Sequence, residues 1–245
     1  MNDDSTIRLA KRVAEMIPCS RGEAEQYIAG GWISIDGAVV EEPGARVADE
    51  QDVTIHPDAT LAEILPVTIL LHKPAGVNAG VGSTGSDPMA LLTADTLLQA
   101  EYGKQRFLRR HLHKLTLCGP LETTASGLVV YTQDFRIARK LVDEGNRVEQ
   151  EYIVEVSGDI REGGLAHLNH GLTFNGKEIP PMKVSWQNET RLRFALKGVK
   201  PGQIAHMCRM VNLTVVSMKR IRIGRVPMAG LPVGQWRYLL DHEKF

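Results

Sequence analysis

Two segments of the sequence carry basic residues and no acidic ones, a charge pattern suited to binding phosphates. One segment runs from Lys197 to Leu240 and the other from Lys104 to Leu121. Lys and Arg neutralise phosphates, so two such segments favour an RNA partner over two solvated faces. The basic residues are Lys197, Lys200, Arg209, Lys219, Arg220, Arg222, Arg225 and Arg237 in the first, and Lys104, Arg106, Arg109, Arg110 and Lys114 in the second.

Histidine and cysteine occur close together twice, a pattern that could bind a metal ion: the sets are His111, His113 and Cys118, and His206 and Cys208. Neither set completes the four ligands of a closed zinc site. The Gly-rich stretch 76–86 lacks the Lys-Ser or Lys-Thr ending of a phosphate-binding loop and is typical of a flexible connection. We therefore expect no metal and no cofactor.

The composition fits a globular chain of 245 residues, long enough for a small domain and a larger one. No apolar run is long enough to cross a bilayer, and the first residues lack the apolar stretch of a signal peptide. Three cysteines without close pairing indicate free thiols in a reducing compartment. We expect a cytoplasmic monomer without a membrane partner.

The local patterns predict a small domain over residues 1–60 and a linker over 61–66. Apolar residues at helical spacing between Ile7 and Ile17 predict a first helix, and Ser20 with Glu23 predicts a capping box that opens a second. Two strands around a turn at Asp36-Gly37 follow, and then a strand from Val53 to His56.

The larger domain is predicted over residues 67–245 and begins with a buried strand that ends at Pro74. Apolar runs predict four more strands, and helices are predicted from Asp134 to Glu144 and from Gly202 to Val211. The runs are SGLVVYT, YIVEVSG, RLRFAL and LTVVSM. The predicted fold class is α+β, with a mixed sheet in the larger domain.

The first domain resembles the alpha-L RNA-binding fold of a small-subunit ribosomal protein. The matching motifs are Arg8-Leu9-x-Lys11-Arg12, Ser20-Arg21-x-x-Ala24, Ile28-x-x-Gly31 and Ile33-x-Ile35-x-Gly37. The resemblance implies that the cations of these motifs contact RNA phosphates. Because acidic residues outnumber basic ones in residues 1–60, a small adaptor for proteins is the alternative.

The second domain resembles the pseudouridine synthases that modify ribosomal RNA, a family whose sheet is mainly antiparallel. The motifs occur in the family's order: Leu71-His72-Lys73-Pro74-x-Gly76, Gln150-Glu151-Tyr152-Ile153-Val154, and Arg220-x-Arg222-Ile223-Gly224 followed by Gly234-x-Trp236-Arg237. The resemblance implies a reaction without cofactor, in which Tyr152 stacks on a uracil that has been flipped out of its helix.

The catalytic segment of that family departs from its pattern here. The family's aspartate falls on Glu122, the arginine before it on Pro120, and the hydroxyl residue after it on Ala125. The arginine that holds the carboxylate falls on Ala205 in Gln203-Ile204-Ala205-His206-Met207. An arginine would orient the carboxylate and keep it ionised, and alanine does neither.

The sequence therefore predicts an RNA-binding protein on the pseudouridine synthase scaffold, with isomerase activity lost or reduced. The alternative is an active isomerase that uses Glu122 as its catalytic carboxylate on structured ribosomal or transfer RNA. The candidate catalytic residues are Glu122 and Tyr152. The candidate RNA-binding residues are Arg8, Lys11, Arg12, Arg21, Lys73, Arg109, Arg110, Lys219, Arg220 and Arg222.

Overall fold

The computed structural model describes residues 6–61, 65–82, 84–98 and 106–245, so Lys104 and part of the predicted linker lie outside the described residues. The chain forms two compact units. The first unit comprises Met1–Leu65 with Arg106–His113, and the second comprises Pro66–Gln105 with Lys114–Phe245. The fold class is α+β, as the sequence predicts. No helix in the described ranges has the length and apolarity to cross a bilayer.

The first unit is built from two short helices and two small sheets around one apolar core. Its buried side chains come from both helices and from the strands beside them, with Leu9, Val13 and Ile28 fully inaccessible to solvent. Strand β1 pairs with β4, and β2 pairs with β3 and β5. The elements are β1 Thr6–Arg8, α1 Leu9–Met16, α2 Arg21–Ala29, β2 Ile33–Ile35, β3 Ala38–Val40, β4 Arg46–Ala48 and β5 Val53–Ile55.

The predicted capping box and turn of the first unit are confirmed. The Ser20 hydroxyl accepts the Glu23 N–H at 3.2 Å, and the Glu23 carboxylate accepts the Ser20 N–H at 2.6 Å. Asp36 and Gly37 both have positive φ, as a two-residue turn between β2 and β3 requires. The first helix begins at Leu9 instead of Ile7, because Thr6–Arg8 pairs with β4.

The segment Arg106–His113 clusters with the first unit, although it comes late in the sequence and its position predicts that it belongs to the second domain. The Arg106 guanidinium lies 4.9 Å from the centre of the Trp32 ring. The Arg109 N–H donates to the Glu41 carboxylate at 2.8 Å. The buried side chain of Leu108 comes so close to Gly31 that a Cβ there would lie 2.8 Å from it.

The second unit is a sheet domain with three short helices, and the predicted strands and helices of this part are found with shifted ends. The predicted helix after Asp134 is α-helical to Ala138 and widens to a π-turn over Arg139–Asp143. The elements are β6 Thr68–Lys73, β7 Thr116–Cys118, β8 Ser126–Thr132, α3 Phe135–Ala138, β9 Glu149–Ser157, α4 Gly164–Asn169, β10 Thr173–Phe174, β11 Lys177–Glu178, β12 Lys183–Trp186, β13 Arg191–Lys197, α5 Gln203–Met210, β14 Thr214–Ile223, β15 Val226–Pro227 and β16 Trp236–Tyr238.

One large, mainly antiparallel sheet dominates the second unit, in the order β12-β13-β9-β14-β8-β6-β16. Its centre contains a short parallel pairing of β14 with β8, in which Lys219 lies opposite Ser126 and Arg220 opposite Gly127. The strand β7 pairs with β8 on one side of the segment 119–125. The sheet therefore holds both ends of the candidate catalytic segment.

At Gly127 the backbone of β8 lies very close to the backbone of β14. A Cβ at Gly127 would lie 2.3 Å from the carbonyl oxygen of Arg220 and 2.5 Å from its amide nitrogen. The φ of Gly127 is 118°, a conformation that side chains rarely adopt. No other residue type fits here without moving β14 away from β8.

We predict that Gly127→Ala destabilises the protein by on the order of 3 kcal/mol, because steric overlap with β14 adds to backbone strain. The control is Gly171→Ala, where φ is 98° and no atom lies within 4 Å of the added Cβ. This control carries the strain alone, at about 1 kcal/mol. Free energies of urea-induced unfolding measure both, and equal losses would contradict the close approach.

Candidate active site and RNA-binding surfaces

Glu122 lies in the segment between β7 and β8, in a turn that Ala125 closes by donating its N–H to the Glu122 carbonyl at 3.0 Å. The side-chain carboxylate of Glu122 accepts the backbone N–H of Gly202 at 2.7 Å. Gly202 is the N-cap residue directly before α5, with a φ of 77°. The carboxylate is therefore held at the N-terminus of α5, where free N–H groups and the helix dipole favour an anion.

Tyr152 on β9 lies in the same cavity as Glu122. The cavity measures about 190 Å³ and is also lined by Leu121, Ile204 and Met218, among others. A cavity of this volume has room for one small group. The structure therefore brings together the two catalytic residues that the sequence predicts.

The hydroxyl of Tyr152 is fixed by a short network in the sheet. It donates to the side-chain oxygen of Gln150 at 2.7 Å, and the same oxygen accepts from the Arg220 guanidinium at 3.2 Å. Burial raises the pKa of Tyr152, and the charge of Glu122 raises it further, whereas Arg220 opposes both. The tyrosine is thus a neutral ring of fixed orientation at neutral pH.

Two nearby basic side chains do not take the place of the arginine that the resemblance puts at Ala205. The His206 ring nitrogen Nε2 bonds to the Thr173 carbonyl at 3.0 Å, and the ring contacts Phe174 edge to face. Arg209 is exposed on α5. Within the part of the chain that the structure describes, the Glu122 carboxylate has a hydrogen bond from Gly202 and no ion pair.

The prediction that Lys73 binds RNA is wrong. Its side chain is fully buried, and its ammonium donates to backbone carbonyls on both sides of the candidate site, at 2.9 Å to Val77 and 2.6 Å to Ala125. Further donations reach Pro74 and Thr123. Burial lowers the pKa of Lys73 to about 8, and the charge of Arg220 also lowers it. Lys73 joins the loop after β6 to the segment that carries Glu122.

Arg220 is also fully buried, so its predicted contact with RNA is wrong for the same reason. Its guanidinium donates to the carbonyls of Leu128 at 2.8 Å, Gly119 at 2.7 Å and Pro120 at 3.2 Å. These bonds fix the backbone that leads into Glu122. Arg220 therefore positions the candidate catalytic segment from the opposite strand.

Arg222 is engaged by two carboxylates, at 2.5 Å to Glu149 and 2.7 Å to Glu151. The second of these also pairs with Arg193, and these partners lower the pKa of Glu151. A contact of Arg222 with phosphate would have to compete with them, so its prediction as an RNA-binding residue is not supported. Lys219 on β14 is half-buried and remains a candidate.

In the first unit, three of the predicted cations line one cleft of about 380 Å³. They are Arg8, Lys11 and Arg21, and they share the cleft with Arg46. Sequence reasoning missed Arg46, which lies opposite Arg8 in the pairing of β1 with β4. Because Arg8 and Arg46 are nearly forty residues apart in the sequence, no local pattern predicts that they lie together.

The other predicted cations of the first unit have different surroundings. Arg12 is three-quarters buried and pairs with Asp49 at 2.7 Å, outside the cleft residues. Arg109 and Arg110 are exposed on a 3₁₀ turn, Arg109–Leu112. They remain candidates for RNA contact.

Family models match both units. The model described as RNA pseudouridylate synthase matches residues 67–217, which is more than half of the chain. The chain belongs to the RNA pseudouridylate synthase family. The S4 domain model matches residues 7–53, so this synthase-family chain carries an S4 domain before its catalytic fold.

Relatives within the synthase family cover nearly the whole chain. The dual-specificity RNA pseudouridine synthase RluF of Escherichia coli K12 is 30% identical over 99% of this chain and 79% of its own length. The ribosomal large subunit pseudouridine synthase B of Bacillus subtilis is 24% identical over 96% of this chain and 93% of its own. A crystal structure of a pseudouridylate synthase shares the fold, with a TM-score of 0.59 at 19% identity and 96% coverage of both chains.

We predict that Lys73→Met destabilises this synthase fold by about 2 kcal/mol at pH 7, because buried carbonyls lose their donor. The pKa of Lys73 is about 8 in the folded chain, against 10.5 for a lysine in water. Between these two pKa values Lys73 is protonated in the unfolded chain and neutral in the folded chain. The free energy of unfolding of the wild type therefore rises with pH over this range, relative to that of Lys73→Met. Urea unfolding at several pH values measures this, with the exposed Lys244→Met as control. A loss equal to that of the control would contradict the role of Lys73.

We also predict that replacing Arg8, Lys11 and Arg21 together by Gln weakens RNA binding and lowers the slope of log K against log salt by about 3. The matched control exchanges Lys and Arg at the same positions and keeps the charge. Fluorescence anisotropy with a labelled ribosomal RNA fragment measures the slope. An unchanged slope and affinity would favour a protein-binding role for the first unit.

Proposed function

We propose that the protein binds structured ribosomal RNA, as a cytoplasmic monomer, and holds one flipped uridine base between Tyr152 and Glu122 with little or no isomerisation. The family and its S4 domain support RNA as the partner. The Bacillus subtilis relative, a ribosomal large subunit pseudouridine synthase, supports ribosomal RNA as that partner. Binding would then be the activity, and masking or remodelling of an RNA site its consequence.

The cavity geometry supports the binding of a single base. Tyr152 lines the cavity and is 2% exposed, so its ring is held in place and loses little conformational entropy when a base arrives. Proteins that act on a flipped base read it in such a closely fitting pocket. The tyrosine hydroxyl is already engaged by Gln150, which holds the ring in place.

The proposed low isomerase activity rests on how the Glu122 carboxylate is held. Among the residues that the structure describes, one backbone N–H holds this carboxylate, and the position that the resemblance assigns to an arginine is Ala205, on the first turn of α5. A helix N-terminus stabilises an anion by about 0.3–1 kcal/mol. Each charge-assisted hydrogen bond from an arginine contributes about 1.5–3 kcal/mol, and two together fix the orientation.

The length of glutamate adds to this effect. Glutamate carries its carboxylate one methylene further from the backbone than aspartate does, and the bond to Gly202 draws it towards α5. A misplacement of about 1 Å in a catalytic group can reduce a rate on the order of a hundredfold. A low isomerase rate follows from both the missing arginine and the displaced carboxylate.

An active isomerase is the second candidate, and one observation favours it. Glu122 and Tyr152 line the same cavity, and the Gly202 N–H gives the carboxylate a defined position. In that case the N-terminus of α5 would take over the orienting role of the arginine.

We predict that wild type releases tritium from 5-tritiated uridine in ribosomal RNA at least about a hundredfold more slowly than the double variant Glu122→Asp with Ala205→Arg. The double variant restores the shorter carboxylate and its cation. A single-turnover tritium-release assay measures both rates. The control is Glu122→Asp with Ala205→Gln, which matches the length of the new side chain without its charge and is expected to stay slow.

RNA affinity is measured in parallel for the same proteins. Retained affinity with slow release supports the proposed function. Fast tritium release by wild type that disappears in Glu122→Gln would show an active isomerase and contradict the proposed function. If wild type neither binds RNA nor releases tritium, an RNA role is excluded.

A further inference from the structure

A large basic groove lies beside the Glu122–Tyr152 cavity in the second unit. It measures about 750 Å³, and the hairpin of β10 and β11 forms one wall, with β12 and the end of β13 forming the rest. Its cations come from four separate points of the chain. They are Lys177, Lys183, Lys197 and Lys200.

The groove has a net positive charge from its four lysines. Two acidic residues, Glu149 and Glu178, also line it. The first of these already pairs with Arg222 at 2.5 Å, so only Glu178 opposes the four lysines directly. Lys177, Lys183 and Lys197 are exposed and can reach a ligand from solvent.

Part of the groove lining is apolar and includes one aromatic ring. Ile179, Pro180 and Met182 line it together with Phe174. Phe174 is half-buried and is supported by the His206 ring, edge to face, with centroids 5.4 Å apart. A supported aromatic ring beside several cations is the arrangement that proteins use to stack nucleobases and track a phosphate backbone.

The groove and the cavity are neighbours that share part of their lining. Asn146, Gly198 and Lys200 line both of them. A polymer with one unit in the cavity must continue outside it, and the shared residues mark the side of the cavity on which the groove lies. The groove is therefore in position to take the neighbouring units of the same strand.

We propose that this groove binds the RNA strand next to the uridine held in the cavity, with the lysines on its phosphates and Phe174 stacked on a neighbouring base. The inference rests on the proposed RNA-binding function and is independent of whether isomerisation occurs. A single exposed lysine such as Lys183 on the edge strand β12 would also discourage pairing between sheets. That role does not account for Lys177 and Lys197, which lie off that edge strand.

The test uses the full chain and a fluorescein-labelled decamer of uridine that contains one 2-aminopurine. We predict that replacing Lys177, Lys183 and Lys197 by Gln weakens binding about tenfold and lowers the salt slope by about 2–3. The same three positions replaced by Arg keep both. Phe174→Leu leaves the salt slope unchanged and removes the quenching of 2-aminopurine that stacking causes.

The outcomes separate this inference from the proposed function, which a labelled ribosomal RNA fragment reports. If wild type binds both RNAs and the Gln variant binds them as tightly and with the same slope, the groove does not bind RNA and the proposed function stands. If wild type binds neither RNA, both are overturned. Binding of a glutamate decamer in place of the uridine decamer would replace RNA with an acidic protein segment as the occupant.

Discussion

The candidate site depends on a buried arginine that crosses from one strand of the sheet to the backbone of another. Arg220 projects from β14 and bonds to the carbonyls of Gly119, Pro120 and Leu128, which lie on both sides of Glu122 in the sequence. It reaches them because β14 approaches β8 closely at Gly127. Burying an unpaired guanidinium would be very costly, so these carbonyls and this cation require one another. The sheet therefore fixes the backbone on both sides of Glu122, in addition to the turn that Ala125 closes.

Local signals in the sequence were enough for much of the fold. The Ser20–Glu23 capping box, the Asp36-Gly37 turn and the alternating strands are interactions between near neighbours, and the structure confirms them. The start of α1 was displaced by a strand pairing between Thr6–Arg8 and Arg46–Ala48, which no local pattern reveals. The two catalytic candidates came from motifs and were found in one cavity.

Charge was the least reliable guide from the sequence. Lys73 stands in a family motif and Arg220 in a basic segment, and both are predicted to contact RNA, yet both are buried and hold backbone carbonyls. Arg46 was overlooked and lines the cleft of the first unit. A cation's role depends on which long-range contacts enclose it, and spacing along the chain contains no information about that. The same limit explains why the link between Glu122 and Gly202 could not be foreseen.

The segment Arg106–His113 makes the first unit discontinuous in sequence. Leu108 covers Gly31, and Arg106 covers Trp32, so a fragment ending near residue 60 would expose an apolar surface that the intact unit buries. During synthesis, the RNA-binding domain would remain incomplete until the chain had passed residue 113, by which time β6 of the following domain had already emerged. The maturation of one domain is thus coupled to the translation of the next. A simple fusion of two independent modules would not have this property.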